Sequence, residues 1–372
     1  MIRVAFDYQI FASQAVGGIS RYCYELSRYL PRCGDIHAEI RAPLHINTYL
    51  AEAGGRVAGV YLRAYDENSR AARLQKAAVF SLDALASFLT APSVDILHET
   101  FYYSYLSRLP RGAARVITVH DMIHEKYPGS FSPDDQTSRR KGEAVRRADF
   151  VICDSHHTRN DLIERLDVPE QKIATVYLGV TPPAITDLAT DELPVPFPYL
   201  LYVGKRDGYK NFSALVGAVA TDERLRKNFG IVCFGGGRFT AKELSEIERL
   251  GVDRQRLLFV SGNDQRLATY YRNAVALVYP SLYEGFGIPP LEAMSCDCPV
   301  ACSNIASLPE VVGPAAETFD PASIESIQYA IDQIVSSSVR RQQLIHLGRE
   351  RVKQFSWMRC AEETAKIYRL LR

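Results

Sequence analysis

Ala276-Leu277-Val278-Tyr279 runs into Pro280-Ser281-Leu282-Tyr283-Glu284-Gly285-Phe286-Gly287-Ile288-Pro289-Pro290-Leu291-Glu292-Ala293-Met294, and a second apolar run, Pro299-Val300-Ala301, follows shortly after. The first four residues are apolar throughout, as expected of a strand covered on both faces rather than one with a wet side. Pro289 and Pro290 stand where a helix would begin, since proline is tolerated in a first helical turn but not deeper. Strand, glycine loop, helix start and strand make one βαβ unit, which implies parallel strands and a right-handed crossover.

The same alternation extends along the chain in both directions. Short apolar runs at 4–6, 94–97, 116–119, 150–153 and 173–177 are matched in the second half by runs at 199–203, 231–234, 257–260, 276–279 and 299–301. Amphipathic patterns at 20–30, 138–148, 158–166, 241–250, 266–273 and 324–335 predict the helices between them. Strand alternating with helix is the pattern of an α/β fold. The stretch 181–198 breaks it, with Pro182, Pro183, Pro194, Pro196 and Pro198 stopping both helix and ladder. The expected organisation is an N-terminal domain at 1–185, a second at 186–355, and a C-terminal helix at 356–372, opened by Ser356 and packing back on the N-terminal domain.

Composition narrows the function. A net charge of +1 argues against a nucleic-acid binder that works by neutralising phosphates. The chain enters a strand-like run directly after Met1, and no run of about 20 apolar residues occurs, so neither a secretory signal nor a membrane-spanning helix is expected. The expected location is cytoplasmic, with peripheral contact at the cytoplasmic face of the inner membrane. Cys296, Cys298 and Cys302 follow C-x-C-x3-C rather than the paired spacing of zinc sites, and are expected to be packed thiols.

Chemistry is expected in loops after strands, because ligands of open α/β sheets bind at the strands' carboxyl ends. Gly285 and Gly287 let the backbone approach a ligand, and the helix start that follows favours phosphate. Glu284 and Glu292 can each accept hydrogen bonds from sugar hydroxyls. A second constellation, Gly204-Lys205-Arg206-Asp207-Gly208-Tyr209-Lys210-Asn211, follows a strand with cations that could balance a phosphate group; a solvated basic turn would look similar. Gly17 and Gly18 open a helix and could admit a phosphate or a sugar; a plain loop would look similar. His120, at the end of a buried strand, could donate to a sugar hydroxyl, with Asp121 as its orienter. Ser155 would cap the next helix, with acceptor binding as a further role. Arg139, Arg140, Lys141, Arg146 and Arg147 make a basic stretch that is either solvated or attracted to anionic lipid. The absence of G-x-G-x-x-G argues against a nicotinamide dehydrogenase.

The spacing of Glu284 and Glu292 around Gly-Phe-Gly, followed by Glu292-Ala293-Met294, Pro299-Val300-Ala301 and Leu308-Pro309-Glu310-Val311, resembles the signature of the family 4 retaining glycosyltransferases. That resemblance implies the GT-B fold, two Rossmann-like domains facing across a cleft, and transfer of a sugar from a nucleotide diphosphate to an acceptor. It implies that Glu284 contacts the donor hexose and Glu292 the ribose. The amides around Phe286, Gly287 and Ile288 would face sugar and phosphate. Lys210 with Arg206, or alternatively Lys205, would hold the diphosphate, Gly204 and the Gly17-Gly18 loop would line the donor site, and His120 would lie near the donor sugar. No metal or cofactor is expected. The opening segment Phe6-Asp7-Tyr8-Gln9-Ile10-Phe11 looks most like bacterial mannosyltransferases of polysaccharide and lipopolysaccharide assembly, which implies GDP-mannose as donor and a glycan or lipid-linked glycan as acceptor. UDP- or dTDP-sugars fit the same scaffold, as does a nucleotide-sugar-binding regulator without catalysis.

Overall fold

A computed structural model describes residues 1–53, 59–65, 69–89, 93–103, 112–181, 195–206 and 208–372. Two compact units emerge. The first combines Met1–Lys126, Ser132–Gly179 and Trp357–Arg372, and the second combines Tyr127–Phe131 and Val180–Ser356. Pro182, Pro183 and Pro194 of the expected linker, the 185/186 boundary and Asp207 lie outside the described residues.

The first unit holds β1 (Ile2–Phe6), β2 (Ile36–Ile40), β3 (Leu44–His45), β4 (Val60–Tyr61), β5 (Ile96–Glu99), β6 (Ala114–Val119), β7 (Phe150–Cys153) and β8 (Ile173–Thr175). Six of these form one sheet in the order β2-β1-β5-β6-β7-β8, and β3 and β4 pair with each other. The second unit holds β9 (Tyr199–Val203), β10 (Gly230–Phe234), β11 (Leu257–Val260), β12 (Ala276–Tyr279), β13 (Val300–Ser303) and β14 (Glu317–Phe319), in the order β11-β10-β9-β12-β13-β14. All the pairings are parallel. Each unit is Rossmann-like, and the second has the doubly wound order of a dinucleotide fold, with its reversal between β9 and β12. The central strands are apolar because helices cover both faces. Leu200, Leu277, Val278, Val300 and Ala301 are fully buried.

The C-terminal helix Trp357–Leu370 belongs to the first unit. Its Tyr368 hydroxyl lies 2.6 Å from His98 Nδ1, while His98 Nε2 lies 2.9 Å from Thr118 Oγ1, which in turn meets the Tyr22 hydroxyl at 3.0 Å. Burial, reinforced by the nearby His120, lowers His98 to about 3, so this chain of polar groups is neutral. Removing one partner strands a fully buried nitrogen. Tyr368→Phe should therefore lower the unfolding free energy by about 1–3 kcal/mol, read by chemical denaturation.

Candidate functional site

In the second unit the loops after β9 and β12 emerge side by side at the point where strand order reverses, which is where open α/β sheets bind ligands. The β9 loop begins at Gly204, whose φ of 122° lies in the region that favours glycine. It ends at Asn211, itself left-handed at φ 55°, whose side-chain amide donates to the carbonyls of Pro280 at 3.1 Å and Pro321 at 2.9 Å. Asn211 thus staples the two loops together and sets Lys210 in place. Lys210 Nζ lies 2.7 Å from Glu284 Oε1 and 3.2 Å from the Tyr279 hydroxyl. Burial works against the ammonium, but the Glu284 carboxylate outweighs it and holds Lys210 well above its ordinary value. A charged pair fixed at a strand end in low-dielectric surroundings can act on a bound anion with little reorganisation.

Glu284 begins a loop held from behind. The buried Ser307 hydroxyl lies 2.9 Å from the Glu284 carbonyl and 2.8 Å from that of Phe286, sharing its one proton between them. Phe286 packs edge-on against Phe355 with ring centroids 5.7 Å apart. Gly287 then turns at φ 107° into the helix Ile288–Ser295, whose N-terminus has no side-chain cap. The positive end of that helix is presented at the loop. A Cβ on Gly287 would sit 2.6 Å from Leu308 Cδ2, with Leu308 itself fully buried. Gly287→Ala should therefore cost both strain and packing, and lower the unfolding free energy by about 1–3 kcal/mol, read by chemical denaturation. Glu292 lies one turn into the helix and accepts from the buried Tyr271 hydroxyl at 3.3 Å.

Arg206 is placed differently from the sequence expectation. Its guanidinium donates to Glu243 at 2.7 Å and to the carbonyls of Gly235 and Arg238, and it stacks over Phe239 at 4.4 Å. With a side chain only 3% exposed, it pins the loop after β10 rather than offering a fork to solvent. Lys205 is the exposed cation of the two. That pinned loop, Gly235-Gly236-Gly237, has φ values of 83°, 73° and 80°, and a Cβ on Gly236 would meet the Gly204 carbonyl at 2.6 Å. These three glycines went unread in the sequence, although a strand running into a glycine triplet carries its own signal.

In the first unit His120 follows β6. Its Nδ1 lies 2.6 Å from Asp154 Oδ2, which follows the neighbouring strand β7, and the Tyr22 ring meets it edge-on at 5.1 Å. Asp154, not Asp121, is its orienter; Asp121 Oδ1 accepts from the Ile123 amide at 3.1 Å. Adjacent strands bring residues 34 apart into contact, whereas the sequence neighbour points elsewhere. Burial disfavours a charged His120, but the Asp154 carboxylate outweighs it and raises its pKa; burial in turn pushes Asp154 up against the pull of His120. We read the pair as an imidazolium shared with a buried carboxylate. Gly17 and Gly18 open the helix Gly18–Tyr29 that carries Tyr22. Gln14 Oε1 accepts the Ser20 amide at 3.1 Å there, and its side-chain amide lies over Gly17 where a Cβ would stand, so a larger residue at 17 would have to displace it.

Ser155 is buried and caps the helix His156–Leu166, accepting from the Thr158 amide at 3.0 Å, so the structure holds its capping role. The basic stretch does not form one solvated face. Lys141 is buried and donates to Glu125 at 2.8 Å and to the Asp121 carbonyl at 2.7 Å, and Arg147 clamps the buried Glu99. Cys296, Cys298 and Cys302 are buried free thiols, pushed up by burial, Cys302 to about 12. Among the described residues no group of His, Cys, Asp and Glu side chains has the arrangement of a metal site.

Two family patterns divide the chain between them: "Glycosyltransferase Family 4" matches residues 16–182 and "Glycosyl transferases group 1" matches residues 188–351. An O-antigen chain mannosyltransferase B of Escherichia coli is 31% identical over 71% of this chain and 72% of its own. An O-antigen chain mannosyltransferase of Salmonella typhimurium is 28% identical over 85% and 87%. Among solved structures, a sucrose-phosphate synthase of Thermosynechococcus elongatus superposes with a TM-score of 0.73 at 21% identity, covering 100% of this chain and 99% of that one, a likeness of fold. With its two Rossmann-like units and its strand-end loops already in view, the chain belongs to the family 4 glycosyltransferases of GT-B fold and is a glycosyltransferase.

Proposed function

We propose that the chain is a retaining mannosyltransferase that moves mannose from GDP-mannose to a hydroxyl of a glycan or lipid-linked glycan in the synthesis of an O-antigen-type cell-surface polysaccharide. The observation that carries this reading is the Lys210–Glu284 pair at 2.7 Å, set where strand order reverses beside the uncapped helix at Gly287. The mannosyl and O-antigen parts rest on the two relatives named above. In this reading Lys210 and Lys205 balance the diphosphate, and the amides around Phe286, Gly287 and Ile288 take a phosphate oxygen. Glu284 orients the hexose, Glu292 holds the ribose, and His120 donates to a sugar hydroxyl.

The bond from C1 to the diphosphate oxygen breaks while the acceptor oxygen bonds to C1 on the same face. The acceptor's proton passes to the departing phosphate. With cationic side chains opposite the diphosphate, the reaction proceeds without a metal.

Incubation with GDP-, UDP- and dTDP-sugars, with and without chelator, should release GDP from GDP-mannose alone, undiminished by chelation. Release from another donor class would replace the donor, loss with chelator would remove the metal-free step, and neither binding nor release across the panel would sink the reading. Within the same assay Lys205→Ala should lower turnover about tenfold with an unchanged melting temperature, through a lost charge-assisted contact. Arg206→Ala should instead show first as lost stability, because Glu243 loses its ion-pair partner and two carbonyls lose a donor.

A further inference from the structure

Tyr127–Phe131 belongs to the second unit, although the chain on either side of it belongs to the first. Its local structure is a single turn of 3-10 helix, Pro128–Ser130, closed by the Ser130 amide donating to the Tyr127 carbonyl at 2.9 Å. This short strap rests on the loops after β9 and β12. The Tyr127 ring lies 6.2 Å from that of Tyr209 and 6.3 Å from that of Tyr283, centroid to centroid, so the three rings pack as one cluster. The Tyr127 hydroxyl donates to the Leu282 carbonyl at 3.3 Å, a long contact that adds little to the ring packing. At the other end of the strap, Ser130 Oγ stands 2.7 Å from where a Cβ on Gly208 would be. Gly208 has a φ of 53°, so glycine is required there both for the turn and for the close approach.

The strap grips the residues next to the charged pair. Gly208 and Tyr209 directly precede Lys210, and Leu282 and Tyr283 directly precede Glu284. The ladder between β9 and β12 ends at Leu201 and Leu277, so it does not itself fix the loops that carry Lys210 and Glu284. Under the strap those loops are joined by the Leu282 amide, which donates to the Tyr209 carbonyl at 2.7 Å. The Tyr209 ring, packed against Tyr127, also faces the ammonium: Lys210 Nζ lies 5.4 Å from its centroid.

We propose that Tyr127 is a positioning residue for the transfer reaction. Its ring sets the separation of the β9 and β12 loops that keeps Lys210 paired with Glu284 and aimed at the diphosphate. The inference rests on the role proposed above for Lys210, through which Tyr127 acts. Misplacing a group by about 1 Å, even from a site remote from the chemistry, can cost about 10²-fold in rate. A ring wedged between the two loops is placed to prevent such a shift.

The test is GDP release from GDP-mannose by the full chain, with amide hydrogen exchange as a second readout. Tyr127→Ala should lower kcat about 10- to 10²-fold and leave KM for the donor within about threefold, because a misplaced cation is missed most as the leaving group gains charge. Tyr127→Phe keeps the ring and should recover the rate to within about threefold of wild type. In a Lys210→Ala background, Tyr127→Ala should cost less than about a further threefold, since the group it positions is gone. Amides at 208–211 and 282–287 should exchange about tenfold faster in Tyr127→Ala, while those of β9 and β12 stay protected. Gly208→Ala, which lifts Ser130 off the β9 loop, should lose rate with the same coupling to Lys210 and keeps the test open if Tyr127→Ala does not fold. Full additivity with Lys210→Ala overturns the proposal, as does unchanged exchange in the two loops or a Phe variant as slow as the Ala variant. Wild-type turnover in Lys210→Ala would instead remove the role proposed for Lys210, and faster exchange with full activity would then mark a strap that orders the loops without serving transfer.

Discussion

Lys210→Ala should lower turnover about 10²–10³-fold, the cost of removing one preorganised donor aimed at developing negative charge. The structural ground is the setting of the ammonium. It is fixed from two directions, by Glu284 and by the Tyr279 hydroxyl, on a side chain 17% exposed, so little reorganisation separates it from the geometry a diphosphate needs. Because charge on the leaving group grows only as the glycosidic bond breaks, the loss should fall on kcat more than on KM for the donor. A second consequence separates this from simple misfolding. Glu284, with a side chain 10% exposed, loses its countercharge, so adding Glu284→Gln to the same chain should cost little further rate. The double variant should be much less than additive, since each residue is the other's main polar contact. A kcat within about threefold of wild type would mean that Lys210 is only a structural partner of Glu284.

Much of this arrangement can be read in the sequence, and the exceptions have physical causes. The ten apolar runs all overlap strands, because strands buried on both faces leave a continuous apolar mark. Besides the short pair β3 and β4, two strands of the six-stranded sheets escaped. β2, Ile36-His37-Ala38-Glu39-Ile40, lies at an edge with His37 exposed and Glu39 half-exposed, and β14 is a three-residue edge strand. The helix Arg70–Leu89 escaped because apolar residues on both its sides blur the single stripe that marks an amphipathic helix. At the site, Glu284, Gly287 and Lys210 could be picked out singly from loop position and residue type. Their pairing could not, since Lys210 and Glu284 are 74 residues apart and meet only because β9 and β12 are neighbours. The same holds for Asp154 with His120, and for Arg206, whose partner Glu243 sits on a helix beyond the next strand. Which of two adjacent cations faces solvent depends on the backbone turn after Gly204, and residue type carries no record of it.

Asp154→Asn should lower the rate at neutral pH about 10- to 10²-fold and move the alkaline limb of the pH profile to lower pH. The expected loss matches the about 1.5–3 kcal/mol carried by a hydrogen bond from a charged group. In the wild type the Asp154 carboxylate raises His120 above its ordinary value of about 6.5, so the ring stays protonated into the neutral range and Nε2 carries a proton to donate. The rate should fall as pH rises through that raised value. An asparagine oxygen still accepts from Nδ1–H and keeps the ring oriented, but it brings no charge. Burial then prevails, His120 drops below its ordinary value, and the neutral ring has no proton on Nε2. Acidification should restore the variant's rate toward wild type, which a merely structural defect would not do. The same linkage sets the sign for stability. Protonated His120 favours the fold, a contribution complete below about pH 6.5 and lost as pH rises through the raised value. Wild-type unfolding free energy should thus decline across that window more steeply than that of Asp154→Asn, by urea denaturation at a series of pH values. Coincident alkaline limbs in the two proteins, with or without a change in rate, would show that the carboxylate does not set the charge of His120.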